Sequence, residues 1–175
     1  MAIIKPNNNT ISAITALPAA ISTGKILQYK QKSLSGNFET SSTSYQTVIS
    51  DTITPSSSSN KIKVIMDGTF QSYDSSSNQT GYAKNKITRA ISGGASTDIM
   101  SDAEFMRQYN TGASTGACLI RAWQFVSFYD SPSTTSEITY KIQIASSANQ
   151  CVIGGRGEST EIAVPTRIQV MEIKG

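Results

Sequence analysis

Histidine is absent from this chain of 175 residues. Without an imidazole, the chain can form neither a Ser-His-Asp or Cys-His nucleophilic site nor a zinc site built on histidine. A glycosidase pair of carboxylates needs no histidine, and the candidate acids are Asp98, Asp102 and Glu104. They lie in a stretch without regular periodicity, where acids are most often simply solvated. We therefore predict that the protein is not an enzyme and uses no cofactor or metal.

Cysteine is scarce as well, since the chain has only Cys118 and Cys151. Two cysteines are too few for a disulfide framework, and their spacing does not have the form of a metal site. Both lie in apolar, strand-like runs. The residues favour two buried free thiols that pack as small hydrophobic groups, and a single inter-strand disulfide remains the alternative.

Charge is also low, because only 15% of the residues are charged, against about 25% in a typical soluble domain. Ser, Thr, Asn and Gln supply the polarity instead. The net charge of +3 is spread along the chain, and the nearest approach to a basic cluster is Lys84, Lys86 and Arg89. We therefore predict no nucleic-acid partner, because a binding groove needs clustered Lys and Arg.

Long apolar runs are missing too. No window approaches the ~20 apolar residues of a membrane-spanning helix, and the N-terminus lacks the apolar core of a secretory signal. We predict no insertion into a membrane.

Residues 1–23 show little periodicity. Pro18 interrupts the one stretch, Ile11 to Ile21, that has some helical character. The apolar residues are enough to dock on another surface and too few to form a core. We predict an extended N-terminal arm over residues 1–23, with a flexible tail as the alternative.

From residue 24 to residue 175 the pattern has a period of two. Ile62, Val64 and Met66 alternate with polar residues, and the same holds for Gly81 to Ile91 and Glu137 to Ala145. Seven to nine short strands are separated by turn signals. This organisation predicts an all-β fold, an antiparallel β-sandwich that we expect to be jelly-roll-like, because such a fold shields most strand edges.

Two segments carry further expectations. Ala117 to Tyr129 is apolar on both faces, which predicts that one face meets the core and the other a neighbouring subunit, with Leu119, Trp123 and Phe125 as the candidate contacts. Ser101 to Glu104 matches a helix-capping box, so one or two helical turns or a surface loop are expected there.

Tyr73, Tyr82 and Tyr109 lie in or beside polar stretches. A tyrosine ring can stack on the face of a sugar while neighbouring hydroxyls and amides bind the sugar hydroxyls. These three residues are the candidate receptor-facing groups. The alternative is that each ring packs locally with its hydroxyl in water.

The segment LPAAISTGKILQ, Leu17 to Gln28, resembles a recurring pattern in tail-fibre-like proteins of marine and other environmental bacteriophages. In these proteins, alternating Ala, Leu and Pro precede Thr-Gly-Lys-Val/Ile-Leu-Gln and then a β-domain. Ser41 to Tyr45 and Ile53 to Ile62 are similar to that family as well. The resemblance covers Ile14 to Met66 and brings no catalytic residues with it.

The resemblance implies a structural protein on the surface of a phage virion, a short tail fibre that is a homotrimer. The sandwich would recognise a glycan or protein of the host surface, and the arm would bind other virion proteins. The arm residues concerned are Ile11, Ile14, Leu17, Pro18 and Ile21. Long fibres of this kind carry a shaft before the domain, whereas here the motif lies close to Met1, so we expect the arm itself to be the attachment element.

Two other functions remain open. One is a capsid decoration protein or head fibre that stabilises the shell or aids adhesion. The other, from a different class, is a depolymerase that cleaves glycans, for which loss of sugar release on Glu104→Gln is the test.

Overall fold

A computed structural model of the chain describes residues 25–74, 80–109, 118–146, 150–154 and 165–175. Within these ranges, the side chains of residues 73–74, 80–81, 102–109, 118–121 and 150 are not described. The predicted arm, residues 1–23, therefore lies outside the described residues.

Within the described ranges, ten strands form two antiparallel sheets. The first sheet contains β1 (Ile26–Ser33), β2 (Phe38–Thr40), β4 (Lys61–Asp74), β7 (Cys118–Asp130), β9 (Gln150–Ile153) and β10 (Arg167–Ile173). The second sheet contains β3 (Gln46–Ile53), β5 (Thr80–Ile91), β6 (Thr97–Tyr109) and β8 (Ile138–Ser146). The chain crosses repeatedly between the two sheets, and the predicted antiparallel β-sandwich is confirmed.

The core lies between the sheets and follows the alternation of the sequence. In β8, Ile138, Tyr140, Ile142 and Ile144 are fully buried, as the pattern predicted. Ile62, Val64 and Met66 of β4 face them from the first sheet and are also fully buried. Because side chains alternate between the two faces of a strand, each strand contributes every second residue to this core.

Strand β4 organises the first sheet. One of its edges pairs with β10 over Lys61 to Asp67 and then with β9 over Phe70 to Tyr73, while β7 pairs with the other edge. At the break between β10 and β9, a Cβ added to Gly68 would lie 2.8 Å from the Cα atom of Thr166. Glycine is therefore required there, because no larger residue leaves room for the incoming chain.

A buried polar cluster joins the two sheets. Asp130, at the end of β7, accepts hydrogen bonds from both the Arg89 guanidinium at 2.7 and 3.0 Å and the Tyr140 hydroxyl at 2.7 Å. Burial, followed by the bond to Asp130, raises the pKa of Tyr140 well above its ordinary value. Since Arg89 and Tyr140 belong to the second sheet, Asp130 fixes one end of the sandwich.

Two expectations from the sequence were wrong in their details. The segment Ser101 to Glu104 is neither helical nor a loop, because it lies within β6, where pairing with β5 outweighs the local capping pattern. Several strands are also longer than expected, and β4 alone has 14 residues.

The cysteine prediction is confirmed for Cys151, which is a buried free thiol. Burial raises its pKa to about 12. Cys118 lies on β7 opposite Asp74, and Cys151 lies on β9 opposite Ser72. The two strands flank β4 on its two sides. Strands two apart are separated by about 9.5 Å, beyond the reach of a disulfide.

Candidate functional site

The strands define two opposite ends of the sandwich. Lys25 directly precedes β1, whose first residue, Ile26, pairs with Ile173 at the end of β10. Ile173 pairs in turn with Lys61 at the start of β4. We call this the Lys25 end. Strand β4 runs from there for 14 residues, or roughly 40 Å, to Asp74 at the other end.

The three candidate receptor-facing tyrosines share that other end, which we call the Tyr73 end. Tyr73 is the second-last residue of β4, and Tyr109, the last residue of β6, pairs with Thr80 at the start of β5. Tyr82 lies two residues further along β5, and its ring is 4.9 Å from the Lys84 ammonium. Tyr82 is partly exposed, whereas the side chains of Tyr73 and Tyr109 are outside the described set. The backbone therefore places Tyr109 at the same end as Tyr73 and Tyr82, which are only nine residues apart along the chain.

A buried carboxylate organises the Lys25 end. Glu172 of β10 accepts bonds from the Ser56 backbone N–H at 2.6 Å, the Ser56 hydroxyl at 2.7 Å, Asn60 Nδ2 at 2.6 Å and Gln28 Nε2 at 2.7 Å. Burial alone would raise the pKa of Glu172, but the bonds from Asn60, Ser56 and Gln28 outweigh it and hold the pKa below its ordinary value. The carboxylate thus fixes the loop between β3 and β4 against β1 and β10.

Two members of this network, Ser56 and Asn60, line a cavity of about 360 Å³ at the start of β1. Its lining combines lysine ammonium groups, serine hydroxyls and one leucine. The residues concerned are Lys25, Leu27, Ser56, Ser57, Ser59, Asn60, Lys174 and Gly175. The cavity therefore lies beside Lys25, the first residue that the structure describes.

Glu172 is not among the site residues predicted from the sequence, although the sequence contains a signal for it. Ile168 and Val170 alternate inward along β10, and Glu172 is the next residue on the same face. A carboxylate at an inward position of a strand must be hydrogen-bonded or neutralised, because burial of an unpaired charge is costly.

The outer face of the first sheet exposes an aromatic row on β7. The exposed fractions are 52% for Trp123, 63% for Phe125 and 57% for Tyr129, and the Lys63 ammonium lies 5.4 Å from the Tyr129 ring. Two of the three predicted subunit-contact residues are therefore exposed on one face. Leu119 belongs to the same strand, but its side chain is not among those described.

The middle of the same face is polar. Asp67 of β4 is nearly buried there, and it is held by an ion pair with Arg167 and by a bond from Gln169 Nε2 at 3.3 Å. The aromatic row is thus a separate strip along the β7 edge of the sheet.

The three acids considered for catalysis lie along one strand, β6, and not in an irregular loop. Asp98 forms an ion pair with Lys86 at 3.1 Å, whereas the side chains of Asp102 and Glu104 are not described. Among the described residues, no group of three or more acidic or cysteine side chains is placed to hold a metal ion.

The same described ranges include no helix with the length and apolar character needed to cross a lipid bilayer.

No protein-family model and no curated protein matches this chain. Among solved structures, the chain is similar to the VP2 subviral particle of infectious bursal disease virus, with 13% identity and a TM-score of 0.43 over 83% of this chain and 37% of that chain. It is also similar to the T13 viral particle of the same virus, with 12% identity and a TM-score of 0.40 over 90% of this chain and 43% of that chain. The chain thus spans less than half the length of either, and likenesses at these TM-scores assign neither a family nor a function to it.

Proposed function

We propose that this chain is a structural protein of a bacteriophage particle, a short tail fibre that binds the host surface. The observation that carries the proposal is the separation of its two ends by roughly 40 Å along β4. The arm enters at the Lys25 end, and the three candidate receptor-facing tyrosines lie at the Tyr73 end. A molecule anchored at the first end presents the second outward.

The chemistry of the Tyr73 end fits a glycan or a polar protein surface of the host. Tyr82 offers part of its ring beside the Lys84 ammonium. An aromatic face together with neighbouring polar groups is a common way to bind sugars, because the ring covers the C–H face and the polar groups bind the hydroxyls.

Attachment is assigned to the arm, through Ile11, Ile14, Leu17, Pro18 and Ile21, and the partners are other virion proteins. The oligomeric state that we propose is a homotrimer, as the resemblance to tail-fibre-like proteins implies. The low charge of the chain supports a surface location on the virion, because its surface is kept wet by neutral hydroxyl and amide groups.

Adsorption competition tests host binding. Purified protein added to host cells is expected to reduce phage adsorption in a dose-dependent manner, and the Tyr82→Ala variant to compete at least tenfold less well. Tyr29→Ala is the matched control, since Tyr29 is also an exposed tyrosine but belongs to β1, away from the Tyr73 end. The absence of competition by the unmodified protein at saturating dose would overturn the receptor-binding function.

Labelled antibody on intact particles locates the protein. Label on the tail is expected. Label spread over the head would overturn the tail-fibre function and favour a capsid decoration protein or head fibre.

A further inference from the structure

Strand β7 has one edge without a partner among the described residues, because it pairs only with β4. We propose that copies of this chain meet along β7, parallel to one another and arranged around an axis that follows the strand, with the aromatic row at the contact. This inference rests on the proposed function, since it names the surface through which the homotrimer forms.

The row has the chemistry of an interface centre. Trp123, Phe125 and Tyr129 share a face with Ser127, and they extend over about 20 Å of strand. At 150–250 Å² per aromatic side chain and about half exposed, the row offers on the order of 300 Å² of apolar surface. A patch of this size is at the lower end of the largest apolar patches found on single soluble chains, and such patches are often functional.

The strand suits a second copy of itself better than a charged partner. Residues 122–129 read AWQFVSFY and carry no charge. Free strand edges are commonly protected by lysine or proline, and neither occurs in these eight residues. Around an axis that follows the strand, like residues of the copies lie near each other, and the aromatic row itself brings no charged side chain to that axis.

The direction of the strand decides between two arrangements. Antiparallel pairing of two β7 edges would put the Lys25 ends of the two copies on opposite sides, so that only one arm could reach the particle. An axis along β7 keeps every Lys25 end on one side and every Tyr73 end on the other. Only this parallel arrangement fits a projection that is attached at one end.

The mass of the full chain in solution, measured by light scattering, tests the contact. The unmodified protein is expected at three times the 18.7 kDa of one chain, and Trp123→Ser combined with Phe125→Ser at a single chain mass. Circular dichroism should show an unchanged fold, because both side chains are largely exposed. Tyr29→Ser is the control, since Tyr29 is comparably exposed on β1 of the same sheet, and it should remain trimeric.

Cysteine cross-linking tests the direction. Ser131 is exposed and directly follows β7. In the parallel arrangement, Ser131→Cys is expected to cross-link to its own copy, whereas antiparallel pairing would hold the two cysteines far apart. Cys151 is buried, and the unmodified protein treated in the same way is the control for any cross-link through Cys118.

Each other result has a defined meaning. The inference is overturned if the unmodified protein is monomeric. It is also overturned if the doubly substituted protein remains trimeric, but in that case the proposed homotrimer still stands. Cross-linking through Ser127→Cys but not Ser131→Cys would establish antiparallel pairing and overturn the parallel arrangement. Adsorption competition is a separate measurement, so failure of the host-binding function is distinguishable from failure of this contact.

Discussion

At the scale of single residues, Glu172 shows how a polar group stabilises one end of an apolar sandwich. Its carboxylate is fully buried and accepts four hydrogen bonds from Ser56, Asn60 and Gln28. Bonds to an ionised acceptor are stronger than neutral ones, and together they offset the cost of removing the charge from water. The loop between β3 and β4 is therefore fixed by a side chain of the last strand.

Glu172→Gln is expected to lower the free energy of unfolding at pH 7 by about 2 kcal/mol. The glutamine amide has one acceptor oxygen fewer than the carboxylate, and its NH2 group would face Ser56, Asn60 or Gln28 groups that are themselves hydrogen-bond donors. Urea denaturation of the two proteins measures the change. Glu137→Gln is the control, since Glu137 is exposed, and it should shift stability by less than about 0.5 kcal/mol. Equal changes in the two variants would contradict the role of the network.

The effect of Glu172→Gln on the free energy of unfolding should depend on pH. The pKa of Glu172 in the folded protein lies below the ordinary value of 4.5. A carboxyl group whose pKa is lowered on folding stabilises the folded protein at pH values above its pKa in the unfolded chain. This stabilisation is lost as the pH falls through its pKa in the folded protein. The difference in unfolding free energy between the unmodified protein and Glu172→Gln should therefore be constant near neutral pH and shrink below about pH 4.5. A difference that grows on acidification would be inconsistent with an ionised Glu172.

At the scale of elements, the two sheets are joined by packing and, among the described residues, by the polar cluster around Asp130. The Asp130 cluster links the end of β7 to β5 and β8. Local sequence does not reveal this cluster, because Arg89, Asp130 and Tyr140 are brought together only when the sheets stack. Strand β6 is a second example, since its capping pattern predicts one or two helical turns or a surface loop and its pairing with β5 makes it a strand.

Asp130→Asn is expected to lower the free energy of unfolding by about 3 kcal/mol, because it leaves the partly buried Arg89 without its ionic partner. Asp98→Asn is the matched control, since Asp98 pairs with Lys86 at a more exposed site and should cost less than about 1 kcal/mol. Chemical denaturation of both variants at pH 7 provides the comparison. If the exposed pair proved to be the more important one, the cluster would not join the sheets as argued.

At the scale of the whole molecule, the strands run between the Lys25 end and the Tyr73 end. Strand β4 spans the first sheet from Lys61 to Asp74, and its residues Ile62, Val64, Met66 and Phe70 belong to the described core. We expect this core to fold without the arm.

Deletion of residues 1–23 is expected to leave a sandwich with an unchanged circular dichroism spectrum and a melting temperature within about 2 °C of the full chain. The shortened protein should no longer be incorporated into phage particles, which a complementation assay and a blot of purified particles can measure. Full-length protein expressed in the same way is the control. Incorporation without the arm would show that the sandwich itself carries the attachment surface.

The sequence by itself determined the β class, the strand faces and the buried thiol at Cys151. These features depend on local alternation, which burial on one side of a strand imposes on residues such as Ile138 to Ile144. Only the tertiary structure decided which distant groups meet, such as Glu172 with Ser56 and Asp130 with Arg89, and which strand ends lie at the same end of the sandwich. The physical reason is that the register and order of strands depend on pairing between distant segments, and a period of two gives the face of a residue but not its neighbours.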